Sequence, residues 1–587
     1  MIASVTNPLV EVIIYVYSLW KGLTPEIVLD LILHAPQYYE KWWRHLLIEA
    51  PLHILIETFL ICFIIWLLVW HRTEDPKKSK KSILSEREKK ELIETWKPEP
   101  LVPSLTPKQQ AITDSKLVSG SHRPSKEEKN AANSSNHLKP LPSPQNQIIE
   151  SVRDEYVTIR GVSKPVLNMS SFDFLGLSRQ PSVKQITKEA LDKYGCGSCG
   201  PRGFYGTIDK HIAFEKSIAQ FMGTQEAISY SDSASAISSA IPAFAKKGDL
   251  LIVDEACNEP IRTGLNLSRA TVQTFKHNDM ADLANILQSI AEDDVRLRRD
   301  TTQQRRFIVT EGVFRATGDI CPLKAILELK EKYCYRIILD ETLSFGTLGA
   351  TGRGVTEHFG VPIGDVEMVL LSMDTSLASV GGVCVGTREI VDHQRLSGAG
   401  YCFSAAGPPF LSAAASEALR LMTASPALLS SLQANAAALH KALGSLSLLQ
   451  LRSKDVTPVL HLILAPHALP EAGTKSSEEQ SDFEFAAIMS IANKCVALGT
   501  GVSTCKLSLV KASSIPFLRP SLRLCCSATL TAAQIEQAVA NLNAASRAAL
   551  DELKGTKGDV VSPKNNIVEN VFSPIRGLFG APASPGR

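Results

Sequence analysis

The sequence predicts an α/β protein with a large, mainly parallel sheet, a smaller C-terminal α+β domain and a transmembrane helix before both. Short β-rich runs alternate with helical ones from about residue 150, which is typical of a parallel sheet covered by helices. Long Ala/Leu-rich helical segments flank short strands over residues 426–553. An apolar run occupies residues 52–70 and is the candidate for the membrane helix.

The apolar run at residues 52–70 approaches the roughly 20 residues that a helix needs to cross a bilayer. Glu57 is its only formal charge, and its many Leu, Ile, Phe and Val side chains outweigh the cost of one acid. An arginine and several lysines follow, so the positive-inside rule predicts a single-pass protein with the bulk of the chain in the cytosol. A buried helix of a soluble domain is the alternative. Within the N-terminal segment 1–51, residues 9–20 predict a short interfacial helix.

Changes in composition predict the remaining boundaries. Residues 71–149 form a polar cytosolic linker with a low-complexity insert, and residues 554–587 form a flexible tail rich in Pro and Gly. Between them lie the large domain, residues 150–425, and the small domain, residues 426–553.

Charge and cysteine content exclude several classes of function. The chain has 62 Lys and Arg against 60 Asp and Glu, a net charge of +2 without a sustained basic field, so a nucleic-acid partner is not expected. The 12 cysteines are scattered, as in a reduced protein that faces the cytosol, and no metal site is expected. Residues 195–200 spell GxGxxG and contain a CxxC, but a helical segment precedes them. A glycine-rich turn is therefore favoured over a dinucleotide or zinc site.

The glycine-rich turn continues into a motif that identifies a family. Arg202, Gly206 and Thr207, followed by His211 and Glu215 at four-residue spacing, resemble the signature of the α-oxoamine synthases. These are fold-type I enzymes that use pyridoxal phosphate (PLP) to condense an acyl-CoA with an amino acid. Further matches occur in order over residues 150–550, among them the Asp-Glu-x-x-Ser-x-Gly stretch at residues 340–346. The resemblance implies the fold-type I PLP-transferase fold.

Measured against that family, the chain lacks the cofactor lysine. No lysine lies between Lys332 and Lys441, and Thr375 stands at the expected position; a hydroxyl cannot form the imine that holds PLP. Asn258 replaces the histidine that stacks on the ring, and Leu343 replaces a second histidine. Asp340, which pairs with the pyridine nitrogen in active members, is retained from the family, and no cofactor binding is expected of it here. The alternative is that a lysine before this gap reaches the cofactor, namely Lys324, Lys330 or Lys332.

Several stretches, among them residues 199–207, 352–358 and 392–404, are similar to one branch of the family, the non-catalytic long-chain-base subunits of eukaryotic serine palmitoyltransferase. The resemblance implies a heterodimer in the endoplasmic reticulum membrane with a lysine-bearing, subunit 2-like homologue that binds PLP covalently. It implies serine and palmitoyl-CoA as substrates, 3-oxosphinganine as product, and membrane lipids as surroundings. A small activating subunit and ORM-type regulators are further partners that it suggests.

Fold-type I enzymes are dimers whose loops cross into each other's active sites. A chain without the lysine is therefore expected to complete the site of its partner. The candidates for this contribution are polar, aromatic or glycine-loop residues: Cys199, Arg202, Phe204, Tyr205, Thr207, Ser344 and Phe345. Two other hypotheses remain open at this stage, a scaffold or regulatory protein that contributes nothing to the site, and a self-sufficient PLP enzyme.

Overall fold

The computed structural model describes residues 59–66, 90, 94–95, 147–468, 477–505 and 519–555. Contacts divide the chain into two units, Met1–His137 and Leu138–Arg587. The predicted interfacial helix at residues 9–20, nearly all of the predicted linker and the tail beyond residue 555 lie outside the described residues.

In the first unit, residues 59–66 are helical and exposed, and they belong to the predicted transmembrane helix. The rest of that predicted helix, residues 52–58 and 67–70, lies outside the described residues. Within the part of the chain that the structure describes, no helix has both the length and the apolar character needed to cross a bilayer. The single-pass topology therefore stays a prediction.

The second unit contains fifteen described strands and thirteen described α-helices. The strands are β1 (Ile149–Arg153), β2 (Tyr156–Ile159), β3 (Val166–Asn168), β4 (Glu226–Tyr230), β5 (Leu250–Asp254), β6 (Thr271–Phe275), β7 (Arg306–Glu311), β8 (Arg336–Asp340), β9 (Met368–Ser372), β10 (Gly382–Gly386), β11 (Leu449–Leu451), β12 (Val459–Leu464), β13 (Thr500–Gly501), β14 (Ser503–Cys505) and β15 (Ser521–Cys525). The helices are α1 (Pro181–Tyr194), α2 (Asp209–Met222), α3 (Ser233–Phe244), α4 (Glu259–Ser268), α5 (Met280–Leu297), α6 (Leu323–Tyr333), α7 (Val355–Phe359), α8 (Arg388–Ser397), α9 (Ala399–Cys402), α10 (Pro409–Ala424), α11 (Pro426–Leu443), α12 (Ser477–Leu498) and α13 (Ala532–Gly555).

The large domain is built on a seven-stranded sheet with the order β4-β10-β9-β8-β7-β5-β6. Strands β6, β5, β7, β8 and β9 are parallel, and β10 runs antiparallel to both of its neighbours. The parallel strands β5 and β9 are buried along their whole length, as expected for strands that are covered by helices on both faces. The structure thus confirms the predicted α/β class with a mainly parallel sheet.

The small domain contains the antiparallel sheet β11-β12-β15-β14. Helices α11, α12 and α13 supply apolar side chains to its core, which is separate from the core of the large domain. In β12 every residue except Ile463 is buried, so this strand lies at the centre of the small domain.

The N-terminal strands of the unit join the small domain before the chain enters the large one. Strands β1, β2 and β3 form a sheet with β13, and β3 pairs with β13 in parallel. Leu167 and Met169 pack in the small-domain core. Segments of the chain that precede the large domain and segments that follow it therefore share the small-domain core.

Candidate functional site

The carboxyl edge of the large sheet brings three of the predicted site residues together. Asp340 is the last residue of β8, Asn258 follows β5 at the start of α4, and Thr375 lies in the loop after β9. Because carboxyl ends of parallel strands meet at one edge, this is where ligands bind in open α/β sheets. All three residues are buried.

Asn258 is hydrogen-bonded directly to Asp340. Its Nδ2 donates to Oδ2 of Asp340 over 2.7 Å, and its Oδ1 accepts from the backbone N–H of Ile261 and caps α4. The other carboxylate oxygen of Asp340, Oδ1, accepts from the backbone N–H of Thr342 over 2.9 Å. Both oxygens of Asp340 therefore have partners from this chain.

A second buried carboxyl, Glu311 at the end of β7, lies beside Asp340. It accepts hydrogen bonds from the backbone N–H groups of Asn258 and Arg315. Burial, with the nearby Asp340 carboxylate, raises the pKa of Glu311 to about 8. Burial also raises the pKa of Asp340, although hydrogen bonds from Thr342 and Asn258 oppose this rise.

Thr375 and Leu343 present no reactive group to this edge. The hydroxyl of Thr375 donates to the backbone carbonyl of Thr342 over 3.1 Å. The side chain of Leu343 packs into the core of the large domain. The positions at which the family resemblance implies a lysine and a histidine are thus occupied by a bonded hydroxyl and a packed aliphatic chain.

The N-terminus of α3 lies at the same edge, after β4. Helix N-termini attract anions such as phosphates because their N–H groups are unpaired and the helix dipole is positive there. Here the carboxylate of Asp232 already accepts from the N–H of Ser235 over 2.7 Å. A second acid, Asp374, accepts from the hydroxyl of Ser233, and burial raises its pKa. Two carboxyl groups therefore occupy the anion-attracting end of this helix.

The three lysines before the lysine-free stretch lie on α6, which precedes β8. Lys330 is buried and its Nζ donates to the backbone carbonyl of Asp365, 2.6 Å away, and pairs with Glu367. Both partners immediately precede β9, at the amino edge of the sheet. Lys332 is in the last turn of α6 at that end, and the side chain of Lys324 is exposed. Lys330 therefore points to the edge opposite Asp340.

The buried side chain of Arg202 holds the glycine-rich loop, residues 195–207, to the rest of the large domain. Its guanidinium pairs with both carboxylate oxygens of Glu215, at 2.7 and 3.0 Å, and also donates to Ser229 and Thr207. It lies over the ring of Tyr401, 5.4 Å from the centroid. Although burial opposes the charged form, the bonds to Glu215 outweigh it and raise the pKa of Arg202. Arg202 therefore holds the loop in place.

The outer side of the same loop is exposed. Tyr205 is fully exposed in a left-handed conformation, with φ of 63°, and Phe204 is 71% exposed. Cys199 is also exposed, and Thr207 is exposed although its hydroxyl is bonded to Arg202.

Ser344 and Phe345, the other two residues predicted to reach a partner, are fully buried after β8. The hydroxyl of Ser344 donates to Glu341, and Phe345 packs in the core. The predicted contributors thus divide into an exposed loop surface and residues that stay inside this chain.

Behind the loop is a small cavity. Its walls include Arg202, His211, Tyr230, Tyr401 and Ser404. The ring of His211 bonds to the backbone at both nitrogens, and burial lowers its pKa. The two basic groups in its walls, Arg202 and His211, are therefore engaged with this chain.

Sequence reasoning missed a buried ionic cluster beside the site. The two ring nitrogens of His277, after β6, bond to Asp254 over 2.9 Å and to Asp319 over 3.1 Å. Burial opposes protonation, but these two carboxylates outweigh it and raise the pKa of His277 to about 9. The same pairing lowers the pKa of Asp319 to about 2. Asp254, His277 and Asp319 are far apart in sequence, so no local pattern predicted that they meet. The cap at Asp232 was also missed, although an aspartate directly before a helical segment is a recognisable N-cap signal.

Comparison with known proteins identifies the family of this chain. The family model for aminotransferase class I and II matches residues 164–542. Long chain base biosynthesis protein 1c of Oryza sativa subsp. japonica is 40% identical over 70% of this chain and 77% of its own length. Serine palmitoyltransferase 1 of Dictyostelium discoideum is 35% identical over 86% of this chain and 95% of its own length. Serine palmitoyltransferase 1 of Saccharomyces cerevisiae is 32% identical over 84% of this chain and 88% of its own length.

Solved structures give the same result. A Sphingomonas wittichii serine palmitoyltransferase superposes with a TM-score of 0.62 at 25% identity, covering 77% of this chain and 99% of that one. A serine palmitoyltransferase from S. paucimobilis with a bound PLP–myriocin aldimine has a TM-score of 0.60 at 25% identity, and the match covers 75% of this chain and 98% of that one. The chain belongs to the aminotransferase class I and II family of PLP-dependent proteins, among the serine palmitoyltransferase 1 and long-chain-base biosynthesis protein 1 relatives.

Proposed function

We propose that this chain is the non-catalytic, obligate subunit of a serine palmitoyltransferase. The complex condenses L-serine with palmitoyl-CoA and releases CO2 and CoA to give 3-oxosphinganine, the first step of sphingolipid biosynthesis. In this proposal a lysine-bearing homologue, similar to long-chain-base subunit 2, binds PLP covalently and carries out the chemistry. The present chain stabilises that homologue and completes its active site.

The observation that carries the proposal is the hydrogen bond between Asn258 and Asp340. In active relatives an aspartate keeps the pyridine nitrogen of PLP protonated, which requires a free carboxylate oxygen. Here the amide Nδ2 of Asn258 donates to that carboxylate over 2.7 Å, in the place that the pyridine N–H would take. Thr375 offers no amine, and Asp232 places a negative charge where the phosphate would be attracted. These residues do not fit PLP, so no step of the reaction is assigned to them.

The second support is the exposed side of the glycine-rich loop. Phe204 and Tyr205 are large side chains that are open to solvent, whereas Arg202 beneath them is fixed by Glu215. Aromatic side chains on a braced loop are typical anchors of a protein interface. We propose that Cys199, Phe204 and Tyr205 face the active site of the lysine-bearing subunit, and that Arg202 and Thr207 hold them in position.

The proposal extends to location and regulation. A helix at residues 52–70 would anchor the chain in the endoplasmic reticulum membrane with its bulk in the cytosol, because basic residues follow that segment. The long-chain product is insoluble in water, which favours synthesis next to a membrane. A small activating subunit and ORM-type regulators are proposed as further partners.

The test is co-expression of the full chain with its lysine-bearing homologue. We expect the two to co-purify, the pair to convert L-serine and palmitoyl-CoA, and the present chain alone to be inactive with PLP. An imine that borohydride reduces on the isolated chain would refute the proposal, because it would require a lysine of this chain at the cofactor.

Replacing Tyr205 with alanine separates the proposal from a pure scaffold. We expect the Tyr205→Ala heterodimer to assemble and to show an altered rate or an altered choice between serine and alanine. Leu498→Ala, at an exposed apolar position of the small domain, is the control and should behave as the unchanged protein does. Normal turnover in Tyr205→Ala and in Phe204→Ala, with assembly intact, would favour the scaffold.

A further inference from the structure

The amino edge of the large sheet, opposite the candidate site, carries a concentration of exposed cations. The loops before β5, β6 and β7 all end at this edge because the three strands are parallel neighbours. We call this surface the basic edge and define it by its exposed cationic side chains: Lys246, Lys247, Arg269, Arg298, Arg299 and Arg305.

Hydrogen bonds hold the three loops together as one surface. Arg305 donates from its guanidinium to the carbonyl of Phe244 over 2.8 Å, and Gln304 donates to the carbonyl of Gly248 over 2.8 Å. The backbone N–H of Thr271 donates to the carbonyl of Asp249 over 2.9 Å. Cations that are distant in sequence therefore share one edge of the molecule.

The acids of these loops are engaged by their own neighbours. Asp249 is buried and accepts from the backbone N–H groups of Lys246 and Arg305. Asp294 is buried and pairs with Arg306 over 2.6 Å and more weakly with Arg299. On the surface, Asp293 pairs with Arg296, Asp300 caps the turn at Thr302, and Glu292 accepts from Gln288. Over residues 244–249, 267–271 and 292–306, eight Lys and Arg residues outnumber five Asp and Glu residues, so the net charge of the basic edge is positive.

Exposed aliphatic side chains stand among these cations. Val295 is 81% exposed and Leu297 50% exposed, in the last turn of α5 just before Arg298 and Arg299. Leu267, in the last turn of α4 before Arg269, is 59% exposed. Aliphatic groups interleaved with arginines fit the boundary between headgroups and acyl chains of a bilayer, where both kinds of side chain are satisfied.

We propose that the basic edge docks on the surface of an anionic membrane. Lysine and arginine would contact the negatively charged headgroups, and Val295, Leu297 and Leu267 would enter the interface between them. A nucleic-acid strand is a poorer match, because single-strand sites use aromatic side chains for stacking and the exposed apolar groups here are aliphatic. Docking by this edge leaves the opposite edge, with Asp340 and the glycine-rich loop, open to the partner subunit.

Hydrogen exchange of the full chain tests the proposal. The protein is mixed with vesicles of phosphatidylcholine, either alone or with phosphatidylserine added. We expect slower amide exchange in peptides covering residues 244–249, 267–271 and 292–306 only when phosphatidylserine is present. Residues 181–194, in α1, should exchange equally in both. Raising the salt from about 0.1 M to about 1 M shortens the Debye length from about 10 Å to about 3 Å and should remove the protection.

A charge-reversal pair gives the matched control. The double variant Arg298→Glu/Arg299→Glu should lose the protection, whereas Lys184→Glu/Lys188→Glu, which reverses two exposed charges on α1, should retain it. Equal exchange with both kinds of vesicle, or protection that survives Arg298→Glu/Arg299→Glu, would overturn the proposal. Protection by soluble polyglutamate but not by vesicles would also overturn it, in favour of an acidic polypeptide partner.

Discussion

Replacing Asn258 with alanine should destabilise the large domain more than the loss of an ordinary helix cap does. The change removes the cap of α4, which accepts from Ile261, and the bond of 2.7 Å from the amide to Asp340. A helix N-cap contributes about 1 kcal/mol, and a hydrogen bond to a buried carboxylate about 1.5–3 kcal/mol. We therefore expect Asn258→Ala to lower the free energy of unfolding by about 3 kcal/mol.

Two control variants separate the contributions. Asn258→Ser keeps an oxygen that can cap α4 but loses the donor to Asp340, so its loss should be about 2 kcal/mol. Asp279→Ala removes a cap of α5 that accepts from Ala281 and Asp282 and has no buried partner, so its loss should be about 1 kcal/mol.

Urea unfolding followed by circular dichroism is the suitable assay. All six tryptophans precede residue 97, so tryptophan fluorescence would not report on the large domain. If Asn258→Ala were no less stable than Asp279→Ala, the bond to Asp340 would contribute nothing to stability, which would refute the role of Asn258 as the partner that stabilises Asp340.

Three further substitutions test separate contacts of the large domain. Thr375→Lys alone should form no imine absorbance with added PLP, because the contacts that would hold the rest of the cofactor are taken; absorbance that borohydride removes would contradict this. His277→Gln should cost about 3 kcal/mol at neutral pH, the value of a pKa raised from 6.5 to about 9. That contribution is complete below pH 6.5 and lost as the pH rises through about 9, so urea midpoints of wild type and variant should converge in alkali; a constant difference would refute it. Gly354→Ala should cost about 3 kcal/mol, because φ is 92° and a Cβ would collide with Glu341, whereas Gly161→Ala, with φ of 82° and open space, should cost about 1 kcal/mol in the same assay.

The sequence predicted the elements whose signal is local. Apolar runs at residues 250–253, 307–309, 336–339 and 368–371 predicted β5, β7, β8 and β9, and helical patterns at residues 183–194, 409–422 and 531–553 predicted α1, α10 and α13. All lie within a few residues of the observed bounds. The pairing of β3 with β13 joins segments more than 300 residues apart, and the pairing of β10 with β4 joins segments about 150 residues apart. Such contacts have no local pattern, so they could not be predicted from the chain.

The residues of the candidate site could be predicted from the sequence, but their contacts and exposure could not. The resemblance indicated which family residues Thr375, Asn258 and Leu343 replace, because each replacement is visible in one motif. The resemblance did not indicate what Asn258 does in its place, because the partner of its amide lies on another strand. Exposure was equally hidden: Phe345 and Tyr205 are both aromatic residues in family motifs, yet one is fully buried and the other fully exposed.

Under the proposed function, the bond from Asn258 gives a physical reason why the buried Asp340 is stable without a cofactor. Two carboxyl groups buried side by side cannot both be charged without compensation. Here the raised pKa of Glu311, about 8, keeps that group protonated at neutral pH, so the pair carries at most one charge. The amide of Asn258 and the backbone N–H of Thr342 then satisfy Asp340. Under the proposed function, replacing only Thr375 with lysine would leave this arrangement intact, so binding of the cofactor would require Asn258 to be replaced as well.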